Sequence, residues 1–153
     1  MLFQGATTLN LDAKGRMAVP AKYRGSLAED SASRVVVTIH PMDRCLWLYP
    51  EVQWVEIART VSQLPTFDPQ NRALQRLLLG NAIDMEMDSQ GRILLSGELR
   101  HYARLDKRVT VVGQGNKFEI WDEAAWSGTL EGLVAEAGQM GTELSDVLRN
   151  LSL

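Results

Sequence analysis

One short pattern occurs twice in this chain, and it limits the possible folds more than any other feature. Asp12-Ala-Lys-Gly-Arg16-Met-Ala-Val-Pro20-Ala-Lys-Tyr-Arg24 aligns with Asp88-Ser-Gln-Gly-Arg92-Ile-Leu-Leu-Ser96-Gly-Glu-Leu-Arg100, with Asp, Gly and both Arg in the same places. Farther on, Val35-Val-Val-Thr38 matches Val109-Thr-Val-Val112, and Leu46–Trp54 matches Phe118–Trp126. The separation between copies shortens along the chain, as it does when the second copy has shorter loops. A repeat of this size means that each copy is one supersecondary unit leaning on the other. At 153 residues the chain makes one large domain or two small ones.

Each copy opens with period-2 alternation. Leu9 and Leu11 alternate with Thr8 and Asn10, and Met85 and Met87 alternate with Asp84, Glu86 and Asp88, the pattern of half-buried strands. The alternation resumes after the glycine at Met17 and Val19 and at Ile93 and Leu95. Asp-x-x-Gly-Arg is therefore expected to be the tip of a β-hairpin. Gly15 and Gly91 would supply the positive φ, and Asp12 and Asp88 would accept hydrogen bonds from turn amides. Pro20, at the first helical position, and Ser96, as N-cap, are each expected to open a short helix.

Val35–Ile39 and Val109–Val112 read as core strands, followed by shorter strands at Leu46–Tyr49 and Lys117–Trp121. Helices are predicted over Glu51–Leu64 and Pro69–Leu79, ended by Pro65 and Gly80. An acidic helix from Glu123, a glycine-rich break near Gly138–Gly141 and a C-terminal helical tail from about Leu144 complete the second copy.

Several classes are disfavoured. The single cysteine, Cys45, has no intramolecular disulfide partner, and with only His40 and His101 beside it the chain lacks an ordinary Cys/His zinc set. The apolar runs fall well short of the roughly 18 to 20 residues that span a bilayer. The N-terminus has no basic flank or apolar segment, so a cytoplasmic protein is expected. His40 and His101 lie in no recognisable catalytic motif, and Cys45 reads as a small buried hydrophobe. Gly113-Gln-Gly115 lacks the third glycine of a dinucleotide fingerprint and reads as a loop. Trp47, Trp54, Trp121 and Trp126 largely pair across the repeat and read as packing residues. Neither an enzyme nor a cofactor or small-molecule substrate is expected.

The net charge of −3 argues against a nucleic-acid partner only until its distribution is considered. Residues 1–28 carry Lys14, Arg16, Lys22 and Arg24 against Asp12 alone. Residues 116–153 carry Lys117 and Arg149 against seven carboxylates. Local field, and not net charge, steers a polyanion. Lys14 and Arg16 flank a glycine at a stiff tip, and Arg suits bidentate contact with guanine or phosphate. The competing reading is a plain Asp12–Arg16 bridge across the turn, worth about 0–1 kcal/mol. The duplication and the local positive charge favour function.

These residues resemble a known family. Asp12-Ala-Lys-Gly-Arg-Met-Ala-Val-Pro20 is similar to the Asp-x-x-Gly-Arg-Φ-x-Φ-Pro signature (Φ apolar) of AbrB/MazE/SpoVT swapped-hairpin DNA-binding proteins. Phe3-Gln-Gly, Cys45-Leu-Trp-Leu-Tyr-Pro50, Gln75-Arg-Leu-Leu-Leu-Gly80 and Asn116-Lys-Phe-Glu-Ile-Trp-Asp122 resemble the MraZ family in particular.

The resemblance implies an α+β fold, a tandem-repeat swapped-hairpin AbrB-like β-barrel with peripheral helices and pseudo-twofold symmetry. Residues 1–80 would form the first repeat with its helices and 81–153 the second with its tail, together one pseudo-dimeric domain. It also implies a cytoplasmic, nucleoid-associated transcriptional regulator that forms a ring of copies and has no cofactor. Its partner would be double-stranded DNA, as tandem G-rich direct repeats in its own promoter within the division and cell-wall gene cluster. By motif position Arg16 is the principal reader with Lys14 beside it, and Lys22 and Arg24 extend the basic face. Asp12, Gly15, Asp88, Gly91 and Arg92 build the hairpins. Gln90 replaces the lysine and Ser96 the proline, which leaves a direct DNA role for the second copy open. A rival reading is a protein-interaction scaffold in which the hairpins serve assembly only.

Overall fold

The β-branched runs of both copies form the middle of one antiparallel sheet. The computed structural model describes residues 2–140, 146 and 149–151. The first copy supplies β1 (Ala6–Asn10), β2 (Arg16–Ala18), α1 (Ala21–Ser31), β3 (Arg34–Ile39), β4 (Leu46–Pro50), α2 (Glu51–Ser62) and α3 (Pro69–Leu78). The second supplies β5 (Ile83–Glu86), β6 (Arg92–Leu94), α4 (Gly97–Tyr102), β7 (Arg108–Gly113), β8 (Phe118–Asp122) and α5 (Glu123–Met140).

The six-stranded sheet runs β1-β7-β8-β4-β3-β5, and β2 and β6 form a separate two-stranded ribbon. Each copy therefore lends its first strand to the other. Ala6–Asn10 pairs with Val112–Arg108 of copy two, and Ile83–Glu86 pairs with Val37–Arg34 of copy one. The copies meet centrally at β4·β8, where Leu46 opposes Ile120. The strand order reads the same from both ends once the copies are exchanged.

Two expectations need correction. The strands flanking each turn do not pair with each other as a hairpin: β1 pairs with β7, whereas β2 pairs with β6. Turn residues decide how the backbone reverses, but the partner of each strand is set by where its apolar face can be buried. Nor does the sheet close into a barrel. Its edges, β1 and β5, stay apart, because β2 and β6 satisfy each other instead of bridging them.

Alternate residues of the sheet serve two cores. Val35, Val37, Leu46, Leu48, Val109, Val111, Phe118 and Ile120 face a core that also takes Met17, Val19, Ile93, Leu95, Leu27 and Leu99 from the ribbon and the short helices. Burying each such side chain contributes about 1.5–3 kcal/mol. Val36 and Tyr49 face the opposite way, against Trp54, Val61 and Leu78 of α2 and α3.

Helix starts follow local chemistry. Ser96 caps α4 by accepting from the Leu99 amide at 3.2 Å, and Asp68 caps α3 through the Gln70 amide at 2.8 Å. Pro20 stands one position earlier than expected, at the N-cap of α1, where it offers no side-chain acceptor. Strands β1 to β8 belong to one compact unit that ends at Asp122, and α5 to a second that begins at Glu123. Helix α5 runs through Gly138, so no break occurs there. Gly141 and Leu144, where the rest of the break and the start of the tail are expected, lie outside the described residues.

Candidate nucleic-acid interface

Both Asp-x-x-Gly-Arg segments fold into the same tight turn. In the first, the Asp12 amide donates to the Arg16 carbonyl at 2.9 Å and the Gly15 amide to the Asp12 carbonyl at 3.0 Å. Gly15 has φ +90°, which a side chain would resist. One carboxylate oxygen of Asp12 accepts from the Lys14 and Arg16 amides, each at 2.9 Å, and the other from Arg16 Nε at 2.7 Å. In the second turn Asp88 accepts from the Gln90 and Arg92 amides and from Arg92 Nε, all at 2.9 Å.

These bonds favour the ionised carboxyl. The backbone amide of Arg16 is the largest influence that lowers Asp12, to about 2, with the Arg16 side chain and the Lys14 amide adding to it. Asp88 is lowered in the same way, chiefly by the Arg92 amide.

The ribbon brings the two turns onto one surface. Its register sets Arg16 opposite Leu94, Met17 opposite Ile93 and Ala18 opposite Arg92. Met17 and Ile93 point into the core, so Arg16, Ala18, Arg92 and Leu94 share the outer face. The salt bridges Arg16–Asp12 and Arg92–Asp88 both engage Nε. Neither guanidinium makes a further side-chain hydrogen bond among the described residues, so its terminal nitrogens remain available. The cross-turn bridge and a reading role are thus compatible: the bridge engages Nε, and the part-exposed guanidinium keeps its terminal nitrogens for another acceptor. Such a fixed fork suits bidentate acceptors.

The four expected basic residues lie in three places: at the first turn, on α1 and over the second turn. Lys14 and Arg16 lie at the first turn. Lys22 is exposed on α1, its Nζ 5.3 Å from the Tyr23 ring centre. Arg24 reaches the other copy. Its Nε donates to the Val19 carbonyl at 2.8 Å, and its side chain covers Gly91 so closely that a Cβ there would lie 2.4 Å from Arg24 Cδ. Arg100 mirrors it, donating to the Leu95 carbonyl at 3.1 Å and covering Gly15, where a Cβ would lie 2.7 Å from its Nε. Each turn is therefore roofed by the arginine of the other copy. The signal for Arg100 was present in the repeat, since Arg24 and Arg100 align, but alignment alone does not tell which turn each one covers.

A second polar group lies on β8 and the loop before β4. His40, Cys45 and Glu119 place potential metal-binding atoms within 4.8 Å of one another. The hydrogen bonds argue against a metal. His40 Nδ1 accepts from the Met42 and Asp43 amides, each at 3.0 Å, which puts the ring proton on Nε2, the atom facing Glu119. Glu119 is already engaged by the indole N–H groups of Trp47 and Trp121, and burial pushes the Cys45 thiol well up. Among the described residues, no helix is long and apolar enough to cross a membrane.

Comparison with known proteins gives a consistent result. The family profile described as "MraZ protein, putative antitoxin-like" matches residues 2–77 and again 78–149, one match per copy. The chain is 49% identical over 150 residues to the transcriptional regulator MraZ of Pseudomonas savastanoi pv. phaseolicola, covering 96% of this chain and 99% of that one. It is 47% identical over 152 residues to the protein of the same name from Pseudomonas aeruginosa strain LESB58, covering 99% and 100%. With both repeats matched and relatives aligned along nearly their whole length, the chain belongs to the MraZ family.

Proposed function

We propose that this chain is a transcriptional regulator that binds double-stranded DNA through the outer face of the β2·β6 ribbon. Its relatives carry the name of a transcriptional regulator and not of an enzyme. The observation that carries the reading is the pair of Asp–Arg units on one face, each part-exposed arginine held by Nε with no further side-chain bond to its terminal nitrogens among the described residues. Arg16 and Arg92 read base edges, Lys14 contacts phosphate from the exposed turn, and Lys22 adds charge from α1. Arg24 positions the second turn. No cofactor takes part.

The two repeats, 1–80 and 81–153, act in this reading as one AbrB-like pseudo-dimer with exchanged strands. A ring of copies arrays several ribbons along tandem direct repeats in the protein's own promoter, in the division and cell-wall cluster, which places it in the cytoplasm at the nucleoid. One ribbon is small, so linked sites gain through effective concentration. The test is a gel shift of the protein's own upstream DNA at low salt. Retardation that weakens sharply when only one repeat is kept supports the reading. No retardation by folded protein favours the scaffold, in which the hairpins serve assembly alone.

A further inference from the structure

Basic residues gather in a second place besides the start of the first copy. A groove of about 630 Å³, formed by the loop before β4 of the first copy and by α4 and the segment after it in the second, is lined by Arg44, Gly97, Arg100, His101, Arg104 and Leu105. Three arginines and a histidine line it, and no carboxylate does. Arg44, His101 and Arg104 are exposed and enter no ion pair among the described residues. Arg44 stacks on Tyr102, its guanidinium carbon lying 4.7 Å from the centre of the ring. The Tyr102 hydroxyl in turn donates to the His40 carbonyl at 2.6 Å.

Arg104 occupies a position where its residue type is unfavourable for the backbone. After α4 the Arg104 amide donates to the His101 carbonyl and the Leu105 amide to the Arg100 carbonyl, a Schellman closure. The residue at this point of the closure adopts the left-handed region, and Arg104 has φ +53°. Glycine suits that conformation and arginine does not. Ala32 and Ser33 adopt the same region after α1, so the conformation reflects helix closure, and its consequence here is that it sets Arg104 beside Arg100 and Arg44 along the groove.

The groove is continuous with the first turn. Arg100, the roof of Gly15, also lines a neighbouring groove of about 520 Å³ together with Asp12, Ala13, Leu105, Asp106 and Lys107. Asp12 there is already engaged by Arg16. The two grooves share Arg100 and Leu105, so the surface runs from Asp12 and Ala13 of the first turn through Arg100 to Arg104 and Arg44.

We infer that the groove lined by Arg44, Arg100, His101 and Arg104 binds backbone phosphates of the DNA that the ribbon reads. This rests on the ribbon reading above. Phosphate contacts position a protein and carry no sequence information. The groove therefore fixes the orientation of the ribbon and adds affinity equally for all sequences.

The experiment combines Arg44→Gln with Arg104→Gly. The glycine suits the left-handed position, so the fold should be unharmed there; melting and sizing chromatography confirm this. DNA binding is then measured against salt, on promoter DNA and on a scrambled duplex, for the parent, the double variant and Arg16→Ala. The expected result is a salt slope reduced by about 0.9 for each phosphate that is no longer neutralised, with the same fold-loss on both sequences. Arg16→Ala, by comparison, loses the preference for the promoter. An assembled double variant with the parent's salt slope overturns the groove and leaves the ribbon standing. So does a double variant that loses assembly while its slope is unchanged, which makes the groove a contact between copies. A parent that retards neither duplex removes the ribbon reading, and the groove with it.

Discussion

The two turns of this chain have the same hydrogen bonds and different surroundings. Asp12 and Asp88 each bind two backbone amides and one arginine Nε. That arrangement closes the backbone, and any loss of it would leave amide donors unmet. The side chains that closure does not use have diverged: Lys14 against Gln90, and Pro20 against Ser96. The roofs also differ. A Cβ on Gly15 would meet the Leu95 carbonyl oxygen at 2.9 Å as well as Arg100, whereas a Cβ on Gly91 meets only the side chain of Arg24 among its three nearest atoms. Both turns are seated on the other copy's backbone, with the Leu95 amide donating to the Gly15 carbonyl and the Val19 amide to the Gly91 carbonyl, but the three nearest atoms include a carbonyl oxygen at Gly15 and are all side chain at Gly91. The first turn also adjoins the groove that leads to Arg104.

The largest expected effect breaks this seating. Both glycines have positive φ, +90° at Gly15 and +72° at Gly91, so alanine at either costs about 1–2 kcal/mol from the backbone alone. At Gly15 the carbonyl of Leu95 cannot move without disturbing its own strand end, so Gly15→Ala should cost about 2–4 kcal/mol, in the range of overpacked sites. Gly91→Ala should stay nearer the backbone cost as Arg24 swings aside. Denaturant unfolding of both variants measures the difference. Equal losses would mean that the two turns are seated alike.

Next in size is the contribution of each arginine to binding. Arg16 and Arg92 occupy the same ribbon face, so both Arg16→Ala and Arg92→Ala should weaken promoter binding. Removing a bidentate base contact costs about 1–3 kcal/mol. Arg16→Ala should lose more, because its turn carries Lys14 and borders the cationic groove. Both should keep their assembly, since an exposed pair contributes about 0–1 kcal/mol to folding. Promoter affinity and sizing of the two variants decide it. Normal binding by Arg92→Ala would confine reading to the first copy, and a larger loss there would reverse the order of the turns.

The elements were legible where period and turn chemistry act locally. Val35–Ile39, the Pro69 helix start and the Ser96 cap all follow from neighbours in sequence. The turns were legible for the same reason, including Asp12 as an acceptor of turn amides, which the structure identifies as those of Lys14 and Arg16. Strand partners were not. Leu9 is equally apolar whether it pairs within its copy or, as it does, opposite Val109. Arg24 illustrates the same limit at the site. Its sequence position places it near Lys22, yet its guanidinium lies on the other copy's glycine. The groove of Arg44 and Arg104 was hidden because its members come from a loop and a helix end far apart in the chain, and Arg104 sits where sequence rules expect glycine.

A smaller effect concerns acid. Asp12 is held at about 2, chiefly by the Arg16 amide, and the unfolded carboxyl titrates near 3.9. A lowered carboxyl contributes stability that is complete above the unfolded value and is lost as pH falls through the folded one. The melting temperature of the parent should therefore exceed that of Asp12→Asn above about pH 4, and the gap should shrink between about pH 4 and pH 2. Asp88→Asn should behave in the same sense, since Asp88 is lowered by the matching amide. A gap that widens on acidification in either turn would show that its carboxylate is not what the turn amides hold.

The smallest effect isolates the one charge by which the turns differ. Lys14 is exposed, and its backbone amide, not its side chain, closes the turn. Gln90 uses its amide in the same way. Lys14→Gln should therefore leave folding unchanged and make the first turn like the second. If Lys14 neutralises one phosphate, the salt slope for each bound ribbon should fall by about 0.9. Promoter preference should persist, because a phosphate contact does not distinguish bases. Gln90→Lys is the reciprocal change. A rise in slope of about the same size would mean that the second turn also lies within reach of the DNA backbone. An unchanged slope with Gln90→Lys, beside a reduced one with Lys14→Gln, would mean that the duplex leans toward the first copy. That is the side on which the groove of Arg100 and Arg104 begins.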